Sequence, residues 1–161
     1  MAPFGRKNYT VEDATRRMER YCAYQERCHQ EVVRKLQGMR MIPEAIDQIV
    51  VHLIEGNFLN EERFALEFAR GKFRQKSWGR NRIGRELRMR GISDYLVRKA
   101  LGSIPEEAYR EQFEKLADKR RESLRGKPAA EIRQKLHSYL YYRGWENERI
   151  YEYLGGLEFP D

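Results

Sequence analysis

The sequence repeats a pattern of five apolar positions three times, at intervals of a little over fifty residues. The three sets are Val32, Leu36, Met41, Ile46 and Val50; Ile83, Leu87, Ile92, Val97 and Leu101; and Leu136, Leu140, Trp145, Ile150 and Leu154. Repetition at this period indicates that one supersecondary unit is copied along the chain. A unit of about fifty residues buries too little apolar surface to be stable alone. We therefore expect neighbouring units to pack against one another in a line.

We predict three helices in each unit, because apolar residues recur at spacings of three and four and do not alternate with polar residues as they do in a strand. Capping side chains precede acidic residues at Thr10, Asn60 and Ser93, as is typical of helix starts. The expected helices are 9–26, 28–38, 43–55, 60–75, 79–90, 93–102, 105–125, 128–143 and 146–155. The predicted organisation is a tail at 1–8, units at 9–56, 57–103 and 104–157, and a tail at 158–161. The fold class is all-α, with three tandem three-helix repeats forming an elongated, curved body.

The second and third units share a short turn at the end of their middle helix. Arg90-Gly91-Ile92 and Arg143-Gly144-Trp145 each place a glycine just beyond the helix, where a left-handed C-terminal cap favours it. The first unit has Arg40 at the equivalent position. We therefore expect its turn to close differently, with help from Gly38 or Pro43.

The positive charge of the chain is concentrated in one block. The 161 residues carry a net charge of +7, with 32 basic and 25 acidic side chains. Residues 70–90 contain nine of the basic side chains and one acidic side chain, Glu86, whereas the other 140 residues carry 23 basic and 24 acidic side chains. A focused field of this kind predicts a polyanionic partner or an acidic protein surface.

Helical spacing turns part of this block into a surface. Ile83 and Leu87 lie on one side of the predicted helix 79–90. Arg82, Arg85 and Arg88 lie on the opposite side. Like charges at this spacing repel, and the block has almost no acid for i,i+4 pairing. Binding of an anionic partner is therefore favoured over the alternative, an ordinary solvated helix face.

Aromatic residues accompany the basic block and the end of the chain. Trp78 and Phe73 favour core packing, with stacking on exposed bases as the alternative for Trp78. Helix packing is also favoured over a partner-binding patch for Tyr139, Tyr141, Tyr142, Tyr151 and Tyr153. The candidate binding residues are Arg70, Lys72, Arg74, Lys76, Trp78, Arg80, Arg82, Arg85, Arg88 and Arg90.

No pattern of catalytic or cofactor-binding residues is recognisable in the sequence. His29, His52 and His137 occur once per unit and lack metal-ligand spacing. Cys22 and Cys28 supply neither a disulfide framework nor a four-ligand zinc site. There is no glycine-rich phosphate loop, and no stretch approaches the roughly 18 apolar residues of a membrane span. We expect a reduced, cytoplasmic binding protein that is not an enzyme and needs no cofactor.

Two parts of the sequence carry a recognisable family pattern. The first part is Phe58-Leu59-Asn60-Glu61-Glu62-Arg63-Phe64-Ala65, followed by Trp78-Gly79-Arg80-Asn81-Arg82-Ile83-Gly84-Arg85-Glu86-Leu87 and Arg90-Gly91-Ile92. These residues resemble the central repeat of the RecX family of bacterial recombinase regulators. Leu140-Tyr141-Tyr142-Arg143-Gly144-Trp145 is similar to the closing repeat of that family. The pattern extends from about Thr10 to Leu157, which is nearly the whole chain.

The resemblance implies a three-repeat helical protein of the bacterial cytoplasm that binds the RecA recombinase and its filament on single-stranded DNA. Family members limit filament growth or promote filament loss, and so lower strand exchange, ATP hydrolysis and co-protease output in the DNA-damage response. We expect the protein to be a monomer.

Three hypotheses remain open at this point. In the first, the basic block contacts a recombinase filament. In the second, the protein binds nucleic acid directly like a helix-turn-helix protein, with helix 79–90 as the recognition helix. In the third, it is an adaptor that docks on an acidic protein without touching nucleic acid.

Overall fold

The computed structural model describes residues 8–159, which form nine α-helices and no β-strand in that range. The helices are α1 Val11–Tyr24, α2 His29–Gly38, α3 Pro43–Glu55, α4 Glu61–Lys76, α5 Arg80–Met89, α6 Asp94–Gly102, α7 Glu106–Ser123, α8 Ala129–Tyr142 and α9 Asn147–Gly155. Their bounds lie within two residues of the expected ones. The predicted tails at 1–8 and 158–161 lie largely outside the described residues, and the predicted division into units stays a prediction.

Three helices begin at the capping side chains that the sequence indicates. Thr10 Oγ1, Asn60 Oδ1 and Ser93 Oγ each accept a hydrogen bond from the backbone N–H three residues later, at 3.0, 3.0 and 3.3 Å. Each bond satisfies a backbone donor that has no partner within the helix. The helix starts of α1, α4 and α6 therefore depend on local side-chain chemistry as well as on packing.

The turns after α2, α5 and α8 are built in the same way. In each turn a backbone N–H reaches back to the carbonyl five residues earlier at 3.1 Å, and the bonds run from Met41 to Leu36, from Ile92 to Leu87 and from Trp145 to Leu140. The residue before each donor has a left-handed backbone, with φ of 61° at Arg40, 77° at Gly91 and 95° at Gly144. The expectation of a different first turn is therefore wrong. Arg40 adopts the conformation itself, at a cost of about 1–2 kcal/mol relative to glycine.

The repeated apolar positions form the core. Thirteen of the fifteen are buried, and Met41 and Leu101 pack partly buried against the same clusters. The helices α1–α3 enclose one cluster, whereas α4–α9 share a second, continuous cluster that runs from Phe64 to Leu157. The tandem all-α arrangement is confirmed, but the last two units share a core while the first has its own.

A direct backbone crossing joins the second and third units. The N–H of Gly79, the capping residue directly before α5, donates to the carbonyl of Arg143 at 2.9 Å. The N–H of Asn81 donates to the carbonyl of Gly144, also at 2.9 Å. These donors belong to the first turn of α5 and have no carbonyl partner within that helix. The turn between α8 and α9 therefore covers the N-terminus of α5.

Both glycines are required by this close approach. A Cβ atom on Gly79 would lie 2.5 Å from the carbonyl oxygen of Gly144. A Cβ atom on Gly144 would lie 2.3 Å from the Cβ atom of Arg82 and 2.4 Å from its backbone nitrogen. The indole N–H of Trp145, which is completely buried, donates to the carbonyl of Ser77 at 3.0 Å beside the crossing. The two units cannot approach in this way with a larger residue at either position.

The first unit contacts the second through fewer groups. Arg63 Nε lies 2.6 Å from Glu26 Oε1, and the N–H of His29 donates to Glu61 at 3.3 Å. Cys28, at the start of α2, is completely buried in the core of the later units. Burial raises the pKa of this thiol to about 11, so the thiol stays protonated near neutral pH.

Comparison of two glycine variants tests the backbone crossing. We expect Gly91→Ala to lower the free energy of unfolding by about 1–2 kcal/mol, because alanine disfavours positive φ. Gly144→Ala should cost about 1–3 kcal/mol more, since its Cβ also overlaps the backbone of α5. Nothing lies within 4 Å of a Cβ built on Gly91, so it serves as the matched control. Urea unfolding measures the free energy of unfolding of both variants. An equal decrease in the two would contradict the backbone crossing.

Candidate binding surface

The ten predicted binding residues do not form one surface. Four lie on α4, four on α5, Trp78 lies between these helices and Arg90 ends α5. Arg70 and Arg74 are exposed and lie about 160° around α4 from Lys72. The structure therefore divides the basic block into an outer face of α4 and a separate group near the start of α5.

Three of the predicted arginines have carboxylate partners. The pairs are Arg80 with Glu106 and Glu146, Arg88 with Asp94, and Arg90 with Glu86. The N–O distances are 2.5 and 3.2 Å for the first arginine and 2.9 Å for each of the others. The expectation that the block has almost no acidic partners is wrong at these positions. The acids that pair with Arg80 are far away in the sequence, at the starts of α7 and α9, whereas the partners of Arg88 and Arg90 are close in the sequence.

Arg80 belongs to the junction between the second and third units. Its guanidinium lies 3.7 Å above the ring of Tyr109, and its backbone N–H donates to the hydroxyl of that tyrosine at 3.0 Å. The same hydroxyl donates to Glu146. Burial and this carboxylate raise the pKa of Tyr109 well above its usual value. Arg80 therefore positions α7 and α9 against α5.

Four of the predicted residues lie in an alternating row of cations and aromatic rings. We call this row the cation–aromatic ladder, and its members in order are Arg90, Phe68, Lys72, Trp78, Arg82 and Tyr142. At one end, Arg90 Cζ lies 4.8 Å from the ring centroid of Phe68, and Lys72 Nζ lies 5.5 Å from the same centroid. Such contacts attract cations to the ring faces.

The ladder continues across the junction between the units. Lys72 Nζ is 5.2 Å from the ring centroid of Trp78, and Arg82 Cζ is 4.2 Å from it. The guanidinium of Arg82 also lies 4.8 Å from the ring centroid of Tyr142, which belongs to α8. Trp78 is half-buried and meets Phe68 edge-on at 6.3 Å, so it packs within the protein while contacting two cations. The ladder thus joins α4, α5 and α8.

Several cations of the ladder and of the helices that carry it lack acidic partners. Within residues 8–159, no carboxylate oxygen lies within 4.0 Å of the charged nitrogens of Lys72, Lys76, Arg82, Arg85 or Arg143. Lys76 and Arg85 are exposed. A guanidinium N–H of Arg143 donates to the carbonyl of Lys76 at 3.2 Å, which brings the ends of α4 and α8 together. We call these five residues the unpaired cations.

One end of the ladder opens into a groove between the first two units. The groove has a volume of about 590 Å³, and Phe68, Lys72 and Arg90 line it together with Arg34 of α2. Its lining also includes the apolar surface of Phe64. The ladder is therefore accessible at its Arg90 end as well as at its Tyr142 end, where Tyr142 is 71% exposed.

Phe68, Tyr142 and Arg143 belong to this candidate surface but are not among the ten predicted binding residues. Phe68 stands four residues before Lys72, and Trp78 stands four residues before Arg82. This spacing places an aromatic ring beside a cation on one helix face or turn, and it is a usable signal. Tyr142 reaches Arg82 only because Gly144 lies against α5. No local pattern in the sequence carries that contact.

The remaining candidate groups do not form a metal centre in the described part of the chain. No three His, Cys, Asp or Glu side chains in residues 8–159 are placed to hold an ion. His52 lies 3.0 Å from Glu19, whereas His137 stacks between the rings of Tyr141 and Tyr151. None of the helices in this range is both long and apolar enough to cross a membrane.

Comparison with known proteins defines the family. Residues 60–101 match the model of the second three-helix domain of RecX, and residues 106–154 match that of the third. The regulatory protein RecX of Prosthecochloris aestuarii is 30% identical over 137 residues, which cover 85% of this chain and 88% of that relative. This chain belongs to the RecX family of regulatory proteins. The RecX of Caldanaerobacter subterraneus is 37% identical over 117 residues, covering 72% of this chain and 55% of the relative.

Solved structures agree with this assignment of the fold. The crystal structure of RecX from Lactobacillus salivarius superposes with a TM-score of 0.79 at 21% identity and covers 91% of this chain and 97% of that one. A second crystal structure, of regulatory protein RecX, superposes with a TM-score of 0.81 at 25% identity and covers 91% of this chain and 73% of that one. The regulatory protein RecX of Bacillus cytotoxicus is 23% identical over 143 residues. These residues are 89% of this chain but only 53% of that relative, so the chain spans about half of its length.

Removal of one hydroxyl tests the junction at Arg80. We expect Tyr109→Phe to lower the free energy of unfolding by about 1–3 kcal/mol, because the N–H of Arg80 and the carboxylate of Glu146 lose their shared partner. Tyr141→Phe removes an exposed hydroxyl on α8 and should change stability by less than about 0.5 kcal/mol. Urea unfolding of both variants decides the point, and equal effects would contradict a structural role for the Tyr109 hydroxyl.

The pairing of Glu106 predicts a dependence of stability on pH. Hydrogen bonds from Arg80 and Arg149 hold the pKa of Glu106 below its usual value. A lowered pKa in the folded state means that the pairing stabilises the protein above the ordinary glutamate pKa and is lost as the pH falls through the folded value. We expect Glu106→Gln to show a smaller fall in melting temperature between about pH 6 and pH 3 than the wild type. Glu107→Gln is the control. The prediction is wrong if the melting temperature of Glu106→Gln falls as much as that of the wild type over this pH range.

Proposed function

We propose that this chain binds the RecA recombinase filament on single-stranded DNA and lowers its activity in recombination and the DNA-damage response. Membership of the RecX family supports a regulatory role. The observation that carries the proposal is the set of unpaired cations, two of which are members of the cation–aromatic ladder. In this proposal the chain acts as a cytoplasmic monomer by binding rather than by catalysis, and it needs no cofactor.

The arrangement of the unpaired cations suits an extended polyanion. They lie on α4, on α5 and at the residue directly after α8, so their separation is set by the junction between two units rather than by one flexible segment. Cations without carboxylate partners attract phosphates and acidic protein surface over a distance of about 8–10 Å at physiological salt. A nucleoprotein filament presents both, and this surface needs no other group to recognise it.

The geometry does not favour the helix-turn-helix alternative. In that motif the N-terminal residues of the recognition helix contact base edges in the major groove. Here the N-terminus of α5 is covered by Arg143 and Gly144, and the side chain of Arg80 is paired with Glu106 and Glu146. The adaptor alternative predicts undiminished affinity for purified recombinase when DNA is absent, so binding in the two conditions separates it from the proposal.

A pair of double variants tests the role of the unpaired cations. We expect wild-type protein to lower ATP hydrolysis by the cognate recombinase on single-stranded DNA. Lys76→Glu with Arg85→Glu should require about tenfold more protein for the same inhibition, because two attractive charges become repulsive. The measurement is steady-state ATP turnover against the concentration of this protein.

The chain offers a matched control for that experiment. Arg70→Glu with Arg74→Glu makes the same change in net charge on exposed residues of α4, about 160° around the helix from Lys72. We expect this control to inhibit like the wild type, within about twofold, because charge reversal away from the site has little effect. An equal loss of inhibition in both double variants would show that net charge alone causes the effect. No inhibition by the wild type would overturn the proposed function.

A further inference from the structure

We propose that Tyr142 is a stacking site for an unpaired base of single-stranded DNA, with Arg82 as the cation behind its ring. This inference rests on the proposed function for its partner and adds the mode of contact. Tyr142 is 71% exposed, and the guanidinium of Arg82 lies 4.8 Å from the centroid of its ring. Arg82 is itself held by the ring of Trp78 at 4.2 Å. The ladder therefore ends in an aromatic ring whose surface is largely free.

A base fits the end of the ladder better than an acidic protein does. An acidic protein surface would pair with the charge of Arg82, but its carboxylates would not stack on the exposed ring of Tyr142. A nucleotide supplies both an aromatic face and a phosphate, and stacking of bases on aromatic side chains is a general mode of single-strand binding. Of the unpaired cations, Lys76 lies on α4, Arg85 lies on α5 and Arg143 directly follows α8. Their charges have no carboxylate partner in residues 8–159 and can attract the phosphates.

The position of Tyr142 is determined before any ligand arrives. Tyr142 is the last residue of α8 and stands two residues before Gly144, whose carbonyl accepts from Asn81. The backbone crossing therefore holds the ring close to Arg82. A side chain that is already ordered loses less conformational entropy when it binds. This distinguishes Tyr142 from an exposed tyrosine placed anywhere on the surface.

Another exposed tyrosine provides a control. Tyr151 on α9 is 60% exposed, so its exposure is similar to that of Tyr142. Its ring stacks on His137, at 5.2 Å between centroids, instead of on an arginine of the ladder. Replacement of either tyrosine by alanine removes the same number of atoms from an exposed position on the third unit. Only one of the two changes alters the ladder.

The test compares oligonucleotides with and without bases. Fluorescence anisotropy measures binding of labelled oligothymidylate and of an abasic oligomer of the same length, with no recombinase present. We expect the wild type to bind oligothymidylate about tenfold more tightly, the factor that one stacked base supplies. Tyr142→Ala should bind both oligomers with the affinity that the wild type shows for the abasic one. Tyr151→Ala should retain the full preference.

Two results would overturn the inference. One is equal affinity of the wild type for the two oligomers, which would indicate phosphate contacts alone. The other is a full preference for bases in Tyr142→Ala. Circular dichroism checks that each variant is helical, and Tyr142→Leu, which keeps apolar bulk but has no ring, gives the same readout if the alanine variant does not fold.

The same proteins separate this inference from the proposed function. A wild type that lowers recombinase ATP hydrolysis but shows no base preference would leave the proposed function standing without Tyr142 as a stacking site. A wild type that prefers bases, with the preference lost in Tyr142→Ala, but leaves ATP hydrolysis unchanged would support the stacking site and remove the proposed target. Each proposal therefore fails by its own measurement.

Discussion

The contact between the backbones of Gly79 and Gly144 determines how the later part of the molecule is assembled. Because a Cβ atom at either position would overlap the neighbouring main chain, the α8–α9 turn and the first turn of α5 can meet only through these glycines. The same contact places Tyr142 beside Arg82 and Arg143 beside Lys76. The candidate surface is thus a property of the junction between two units, and neither unit contains it alone.

The basic block performs two physically different tasks. Arg80 is paired with acids of the third unit and packed on Tyr109, so its charge stabilises the junction and is not available to a partner. Lys76 and Arg85 lie outside such pairs within residues 8–159 and keep their charge for the surroundings. A high local charge in a sequence therefore overstates the charge that a folded surface presents.

Local rules account for the helices, their caps and the repeated core, because these depend on residues close in sequence. The i,i+4 spacing of Phe68 with Lys72 could also have indicated part of the ladder. The contact of Tyr142 with Arg82 and the acidic partners of Arg80 could not be predicted, since they depend on how two units meet. Arg40 occupies a left-handed position that glycine usually fills, because its turn keeps the same backbone hydrogen bond as the other two turns in spite of the unfavourable φ. The ten predicted binding residues stay a prediction.

The two hydrophobic clusters imply that the molecule does not melt as one block. Helices α4–α9 share a continuous interior and should open together, whereas α1–α3 enclose their own interior and are attached mainly through Arg63, His29 and Cys28. Amide protons of the first three helices can then exchange with solvent through openings that leave the rest intact. The amino-terminal third would in that case act as a lobe that detaches and re-forms while the ladder keeps its geometry.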